Sequence, residues 1–195
     1  MQLAHLRRAI LFGAALGLAT RYGSQFPGDF DWLRRVGVPW LAVGFAAAIS
    51  VPRVRHGALL GALSLVVAIL VYYAALAFLQ DAYDRSPLGV AWLVIALPGG
   101  AVFGTLGSLW SAGRERVTIS AVLAACFLGE AVIFDRFLDP AAAPYLLGAA
   151  VAMPVLLLRR TADRLAALAL ALPFMAAAVV VEGVVFLSTG YLISA

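Results

Sequence analysis

The sequence contains no lysine and no asparagine, and all fourteen residues of its Lys+Arg total are arginine. Without lysine the chain cannot form a Schiff base, which excludes a retinal-type pigment, and without asparagine it has no N-glycosylation sequon. Lysine and asparagine both use AT-rich codons. A chain rich in alanine, glycine and arginine that lacks both is therefore expected to come from a bacterium with a high-GC genome.

Cysteine and histidine are also scarce. The single cysteine, Cys126, lies inside a long apolar run, so no intramolecular disulfide can form and no thiolate metal site is expected. His5 and His56 lie beside arginines at or outside the ends of apolar runs. No histidine within a run is therefore available to bind haem or to act as a base. The sequence predicts no metal, no cofactor and no catalytic residue.

Charge is sparse as well. Charged residues make up 12% of the 195 residues, whereas 64% are hydrophobic, and the mean hydropathy is +1.00. The hydrophobic residues form long runs without a formal charge, and in lipid such runs must be helical because each backbone group needs an internal hydrogen-bond partner. A transmembrane barrel would instead show alternation over segments of about ten residues. The sequence predicts an all-α polytopic transmembrane bundle in contact with the lipid bilayer.

The charge-free runs predict about seven spans in a single membrane domain over residues 1–195. The spans lie near residues 7–22, 36–52, 57–80, 88–112, 117–135, 141–158 and 165–190. The apolar part of the first, residues 9–20, has only 12 residues. That is fewer than the roughly 20 that cross a bilayer, unless the flanking arginines snorkel. A secretory signal peptide is the alternative interpretation of this run, but no A-x-A-like cleavage site follows it.

Arginine is distributed unevenly between the two sides that seven spans define. One side receives nine arginines: Arg7, Arg8, Arg53, Arg55, Arg114, Arg116, Arg159, Arg160 and Arg164. The other side receives five: Arg21, Arg34, Arg35, Arg85 and Arg136. By the positive-inside rule the first side faces the cytoplasm, with the N-terminus inside and the C-terminus outside, in a bacterial inner membrane. The pI near 9.7 follows from this topology, and no nucleic-acid partner is expected.

Two acidic residues lie well within predicted spans. Glu130 is in CFLGEAVIF and Glu182 is in VVVEGVVFL, and an ionisable group at such a depth is costly unless it is paired or hydrated. The topology places both in the outer half of the bilayer, where they could line an outward-facing polar pocket. The structural alternatives are that Glu130 reaches water or pairs with Arg136, and that Glu182 is a protonated, hydrogen-bonded structural group.

Other candidate ligand-binding residues lie in the third and fourth predicted spans. Pro98, Gly99 and Gly100 fall near the middle of the fourth span, where proline removes a helix hydrogen bond and predicts a kink. The functional alternative is a discontinuous helix that lines a site, as in transporters. Tyr72 and Tyr73 could add hydroxyl groups to a cavity, although interfacial anchoring explains them equally well.

Three pairs of glycines recur at four-residue spacing within apolar runs. They are Gly13 and Gly17, Gly57 and Gly61, and Gly100 and Gly104. Small residues at this spacing let helices approach closely. We expect these pairs to pack inside the bundle, the alternative being docking onto a partner membrane subunit.

The segment VPWLAVGFAAAIS, followed by an arginine-rich turn and GALLGALSLVVAILVYYAA, resembles small uncharacterised multi-spanning membrane proteins of high-GC bacteria, including actinobacteria. The resemblance covers mainly residues 38–75 and implies no activity, since that family is of unknown function. Three hypotheses remain. The first is a small-solute binding or transport protein, the second is an accessory or structural subunit of a membrane complex, and the third is an intramembrane lipid-modifying enzyme.

Overall fold

A computed structural model describes residues 2–23, 36–80 and 86–188, with the side chains at 79–80, 86–91, 182 and 185–188 left out of the description. These ranges contain helices and no strand. The α-helices are α1 (Leu3–Tyr22), α2 (Val38–Ala48), α3 (Val54–Gln80), α4 (Ser86–Ser111), α5 (Arg116–Phe137), α6 (Ala143–Leu157) and α7 (Thr161–Ser188). A short 3-10 helix, Pro140–Ala142, precedes α6. The all-α prediction is confirmed.

Six of the helical segments are long and apolar enough to cross a membrane. They are Leu3–Tyr22, Val54–Phe78, Trp92–Ser111, Arg116–Phe137, Pro140–Leu157 and Thr161–Val181. The first has 20 residues, more than its apolar run suggested, because the helix includes Arg7 and Arg8. Twenty residues extend about 30 Å, the thickness of the hydrocarbon core.

The second predicted span, residues 36–52, is helical over a shorter stretch. Helix α2 has 11 residues, with Pro39 in its first turn. At its other end the Val51 N–H donates to the Ala48 carbonyl at 2.9 Å, and Pro52 follows. Eleven residues extend only about 16 Å, roughly half of the hydrocarbon thickness. The number of membrane crossings therefore stays a prediction.

Two compact units, Met1–Arg114 and Glu115–Ala195, make up the chain. The first contains α1 to α4 and the second contains α5 to α7. In the first unit, α3 packs against α1, α2 and α4, and α2 also contacts α1 and α4. In the second unit, α5 packs against α6 and α7. Helices α3 and α5 are therefore the central helices of their units.

Glycine pairs hold α3 and α4 in backbone contact. A Cβ atom built on Gly61 would overlap the carbonyl oxygen of Gly100 and lie 2.8 Å from the Cα of Gly104. A Cβ atom built on Gly104 would lie 2.9 Å from the carbonyl carbon of Gly57. In lipid there is no hydrophobic drive between helices, and close van der Waals contact of this kind holds them together. The prediction that these two pairs pack within the bundle is confirmed.

The remaining pair, Gly13 and Gly17, packs α1 against α3. A Cβ atom on Gly13 would lie 3.1 Å from the carbonyl carbon of Ser64, and one on Gly17 would lie 3.2 Å from that of Ala68. The Ser64 hydroxyl donates to the Gly61 carbonyl at 2.8 Å, so this buried polar group is satisfied within its own helix. All three glycine pairs are thus used in contacts inside the first unit.

The order of these contacts gives the direction of each helix in the first unit. Residue numbers rise together along the α1–α3 contact, so α1 and α3 are parallel. Gly57, near the start of α3, faces Ser108, near the end of α4, so these helices are antiparallel. Arg8 of α1 donates a hydrogen bond to the hydroxyl of Ser50, just after α2, so α2 is antiparallel to α1. The start of α1, the turn after α2, the start of α3 and the end of α4 therefore lie together at one end of the unit.

The second unit has a similar up-down arrangement. Ala121, near the start of α5, packs with Leu158, just after α6, and with Ala167, near the start of α7. Farther along α5, a Cβ atom on Gly129 would lie 3.0 Å from the Cβ of Ala178 in α7. Helices α5 and α7 are therefore parallel, and α6 is antiparallel to both. The starts of α5 and α7 share one end of the unit with the end of α6.

Helix α4 ends in a left-handed glycine. Gly113 has φ 76°, and its N–H donates to the Trp110 carbonyl at 3.0 Å. The next N–H, of Arg114, donates to the Leu109 carbonyl at 3.0 Å. These two bonds form a Schellman motif, which satisfies carbonyls at the helix end and requires the left-handed backbone that glycine adopts without strain.

Candidate functional site

Glu130 is a buried carboxyl group on α5. The residue is 1% exposed, and Leu123, Phe127 and Phe134, which lie on the same face at helical spacing, are also buried. Moving a carboxylate from water into apolar surroundings costs several kcal/mol unless the group is paired, hydrogen-bonded or protonated. A helix of this kind retains such a residue only where its polar group is used in structure or function.

The position of Glu130 along α5 places it far from Arg116 at the start of the helix. It lies 14 residues after Arg116 and seven before Phe137, the last residue of the helix. At 1.5 Å per residue these separations are about 21 Å and about 10 Å. The carboxyl group is therefore nearer to the C-terminal end of α5 than to its N-terminal end at Arg116.

The structure bears on one of the two alternatives proposed for Glu130, and the pairing with Arg136 stays a prediction. Direct access to water is wrong, because only 1% of the residue is exposed. Arg136, the expected partner, is 74% exposed and lies 3.5 Å from the carboxylate of Asp135, which is itself 54% exposed. That ion pair is at the surface, where such pairs contribute little to stability.

Glu182, the second acidic candidate, belongs to α7. Its side chain lies outside the described part of the structure. The convergence of Glu130 and Glu182 on one pocket therefore stays a prediction.

Tyr72 and Tyr73 lie in an aromatic cluster of the first unit. The Tyr72 ring is 6.3 Å from that of Trp40 and 5.2 Å from that of Tyr73, with both pairs edge-to-face. Tyr73 also packs, with Trp92, against the buried core around Ile69. Edge-to-face pairs contribute about 0.5–1.5 kcal/mol beyond area burial. This packing accounts for both tyrosines, and their role in ligand binding stays a prediction.

Pro98, Gly99 and Gly100 lie in a continuous helix. Helix α4 is unbroken through all three residues, so it has no interruption of the kind that exposes backbone groups in discontinuous transporter helices. Pro98 is exposed and Gly100 is buried. A Cβ atom on Gly100 would lie 2.6 Å from the carbonyl oxygen of Gly61, which explains that glycine by helix packing.

Some polar contacts were not anticipated from the sequence. The Arg164 Nε donates to the carbonyl of Leu158 at 2.8 Å, which caps the end of α6. Ser120 of α5 is 0% exposed, and its hydroxyl has no hydrogen-bond partner among the described residues. The only sequence signal for Ser120 is that it is a hydroxyl residue, two positions after Thr118, in an otherwise apolar stretch. In the sequence, Arg164 was only one of the nine arginines predicted to face the cytoplasm.

Residues that could bind a metal do not cluster in the described part of the chain, which contains no group of three or more histidine, cysteine, aspartate or glutamate side chains with suitable placement. Among the buried polar residues of the described ranges, Glu130 of α5 is the one with an ionisable side chain.

Comparison with known proteins identifies the family. A family model described as a family of unknown function, DUF6518, matches residues 2–188. The chain belongs to the DUF6518 family. This confirms the expected membership of an uncharacterised family, and the match extends over nearly the whole chain, whereas the resemblance noted above covered mainly residues 38–75. Neither the curated proteins nor the solved structures contain a match.

Proposed function

We propose that this DUF6518 chain is a multi-pass protein of the bacterial inner membrane that binds and transports a small cationic or hydrogen-bonding solute through an outward-facing site centred on Glu130. The observation that carries the proposal is the burial of this carboxyl group, 1% exposed, in a helix long and apolar enough to cross a membrane. Charged groups at such positions commonly mark solute pathways or proton relays.

The arrangement of the second unit supports an outer location for the site. Arg116, Arg159, Arg160 and Arg164 lie at the end of the unit where α5 and α7 begin and α6 ends. By the positive-inside rule this end faces the cytoplasm. Glu130, about 21 Å farther along α5, then lies in the outer half of the bilayer.

The same separation disfavours the lipid-modifying enzyme. That hypothesis needs a carboxylate base close to arginines that hold a phosphate. A group about 21 Å from Arg116 along the helix is too far away to act on a phosphate bound there.

The accessory-subunit hypothesis loses its main sequence support. Its candidate docking motifs were the glycine pairs, and all three pairs are filled by contacts within the first unit. A Cβ on Gly17, for instance, would lie 3.1 Å from the Cβ of Val71 in the same unit. These faces are therefore not open to a partner helix.

The test is solute flux into liposomes that contain the purified full chain. The probes are methylammonium, as a small cation, and protons, followed with an internal pH dye under an inside-negative potential. We expect faster entry of at least one probe than in empty liposomes. Glu130→Gln replaces the carboxyl group with a neutral amide of the same shape, and it should slow that entry by about tenfold or more, since the amide can neither bind a cation by charge nor exchange a proton.

Asp135→Asn is the matched control. It removes a carboxylate from the same helix, at a side chain that is 54% exposed, and should leave the rate unchanged. Wild-type flux equal to that of empty liposomes for both probes, or unchanged flux in Glu130→Gln, would contradict the proposal.

A further inference from the structure

Five arginines of the first unit lie at one of its ends. Arg7 and Arg8 are in the first turns of α1, Arg53 and Arg55 flank the start of α3, and Arg114 follows the end of α4. The helix directions place these three segments at the same end. We call this set of five residues the arginine end.

Packing fixes two of the three segments to each other. Ala9 of α1 is buried in one cluster with Val51, in the turn before α3, and with Leu60 of α3. Next to that cluster, Arg8 donates a hydrogen bond to the Ser50 hydroxyl. The α1 arginines and Arg53 therefore lie on either side of a single packed turn.

The third segment is held by the glycine contact. Gly57, two residues after Arg55, lies against Ser108, and a Cβ atom on it would come within 2.9 Å of the Ser108 Cβ. Arg114 follows within two turns and is held by its N–H bond to Leu109. The end of α4 thus adds its arginine beside those of α3.

Among the described residues of the unit, no acidic side chain balances this charge. The described residues of the first unit, 2–23, 36–80 and 86–114, include no aspartate or glutamate. Glu115, the next residue along the chain, belongs to the second unit, where its carboxylate accepts a hydrogen bond from the Thr118 hydroxyl at 3.2 Å. All five arginines of the set are exposed.

We propose that the arginine end binds the headgroup phosphate of an anionic phospholipid. Guanidinium groups present a fork of donors that matches phosphate oxygens, and they are more weakly hydrated than ammonium groups. Basic clusters at the cytoplasmic ends of membrane helices attract anionic headgroups in this way. The proposal rests on the membrane location, and it does not depend on a solute site at Glu130.

The experiment is a native mass spectrometry titration of the delipidated full chain in detergent. The added lipids are dioleoylphosphatidylglycerol and dioleoylphosphatidylcholine, and a third titration uses inorganic phosphate. We expect tighter binding of phosphatidylglycerol than of phosphatidylcholine. The Arg53→Gln/Arg55→Gln variant should weaken phosphatidylglycerol binding by about 25-fold, or about fivefold for each arginine removed.

Arg136→Gln is the matched control, since Arg136 is exposed but already paired with Asp135. It should bind phosphatidylglycerol as the wild type does. If the double variant does not fold, Arg7→Gln/Arg114→Gln probes the other two segments with the same expectation.

Three results would overturn the proposal. The first is equal binding of the two lipids. The second is an equal loss of phosphatidylglycerol binding in the Arg53→Gln/Arg55→Gln variant and in the Arg136→Gln control. The third is displacement of phosphatidylglycerol by millimolar inorganic phosphate, which would assign the site to free phosphate. None of these results bears on the flux assay at Glu130, so the two proposals fail independently.

Discussion

Gly61 of α3 and Gly104 of α4 are in direct backbone contact. A Cβ atom built on Gly61 would lie 2.8 Å from the Cα and 2.9 Å from the backbone nitrogen of Gly104, closer than real Cβ atoms approach other atoms. The contact therefore exists only because neither residue has a side chain. It fixes the register of α3 and α4, and with it the positions of Arg55 and Arg114 at the arginine end.

The substitution Gly61→Ala should destabilise the protein. The added methyl group meets backbone atoms, which cannot move aside as a flexible side chain can, so α3 and α4 must separate. Overpacking of this kind costs about 1–3 kcal/mol. The measurement is the thermal unfolding midpoint in detergent, followed by circular dichroism, and we expect a clear decrease.

Gly148→Ala is the control for that variant. Gly148 is also in a helix, α6, but a Cβ atom built on it meets no atom within 4 Å. Alanine is favoured over glycine in a helix by about 0.5–1 kcal/mol. The unfolding midpoint should stay the same or rise, and equal decreases in the two variants would refute the packing role of Gly61.

The left-handed residues after α4 predict different effects of two substitutions. Gly113 has φ 76° and Glu115 has φ 50°. Gly113→Ala should lower the stability by about 1–2 kcal/mol because a side chain is strained in this conformation. Glu115→Gly relieves the same strain, and this gain offsets or exceeds the loss of the hydrogen bond from Thr118. The stability should therefore stay the same or rise. A loss of stability in Glu115→Gly as large as that in Gly113→Ala would show that this backbone geometry does not govern the turn.

Arg164 should stabilise the second unit through its bond to Leu158. The Nε donates to that carbonyl at 2.8 Å from a part-buried position, and cations at a helix C-terminus also interact favourably with the helix dipole. Arg164→Gln should therefore lower the free energy of unfolding by about 1–2 kcal/mol. Arg159→Gln, at an exposed arginine five residues earlier, should change it little. Comparable losses in both variants would assign the effect to net charge and not to the hydrogen bond.

Much of the fold could be predicted because lipid limits the choice of structure. Each of the seven α-helices in the described residues overlaps one of the charge-free runs, and the spacing of Gly57 and Gly61 indicated a close helix contact. The partner of that contact, Gly100 and Gly104, could not be deduced, because many small residues in this alanine-rich chain satisfy the same pattern. Helix α2 was predicted too long because hydropathy continues through Ile49 and Val51, whereas the backbone turns at Ser50 before Pro52.

The candidate site was predicted only in part. Glu130 was detectable because a carboxyl group is costly in an apolar run, and its burial agrees with that cost. Gly100 was selected as part of a possible discontinuous helix, whereas the structure shows that it allows close packing against Gly61. A glycine in the middle of a span is compatible with either arrangement. Arg164 gave no distinguishing signal, because a side-chain bond to a helix end depends on how α6 and α7 meet.

Both proposals require that the arginine-bearing ends of the two units face the cytoplasm. The most direct test replaces exposed alanines with cysteine in a Cys126→Ser background and labels bacterial cells with a membrane-impermeant maleimide. Ala112→Cys and Ala162→Cys should react with the maleimide only after the membrane is permeabilised. Ala141→Cys, at the opposite end of the second unit, should react in intact cells. Labelling of Ala112→Cys or Ala162→Cys in intact cells, or protection of Ala141→Cys, would contradict the account.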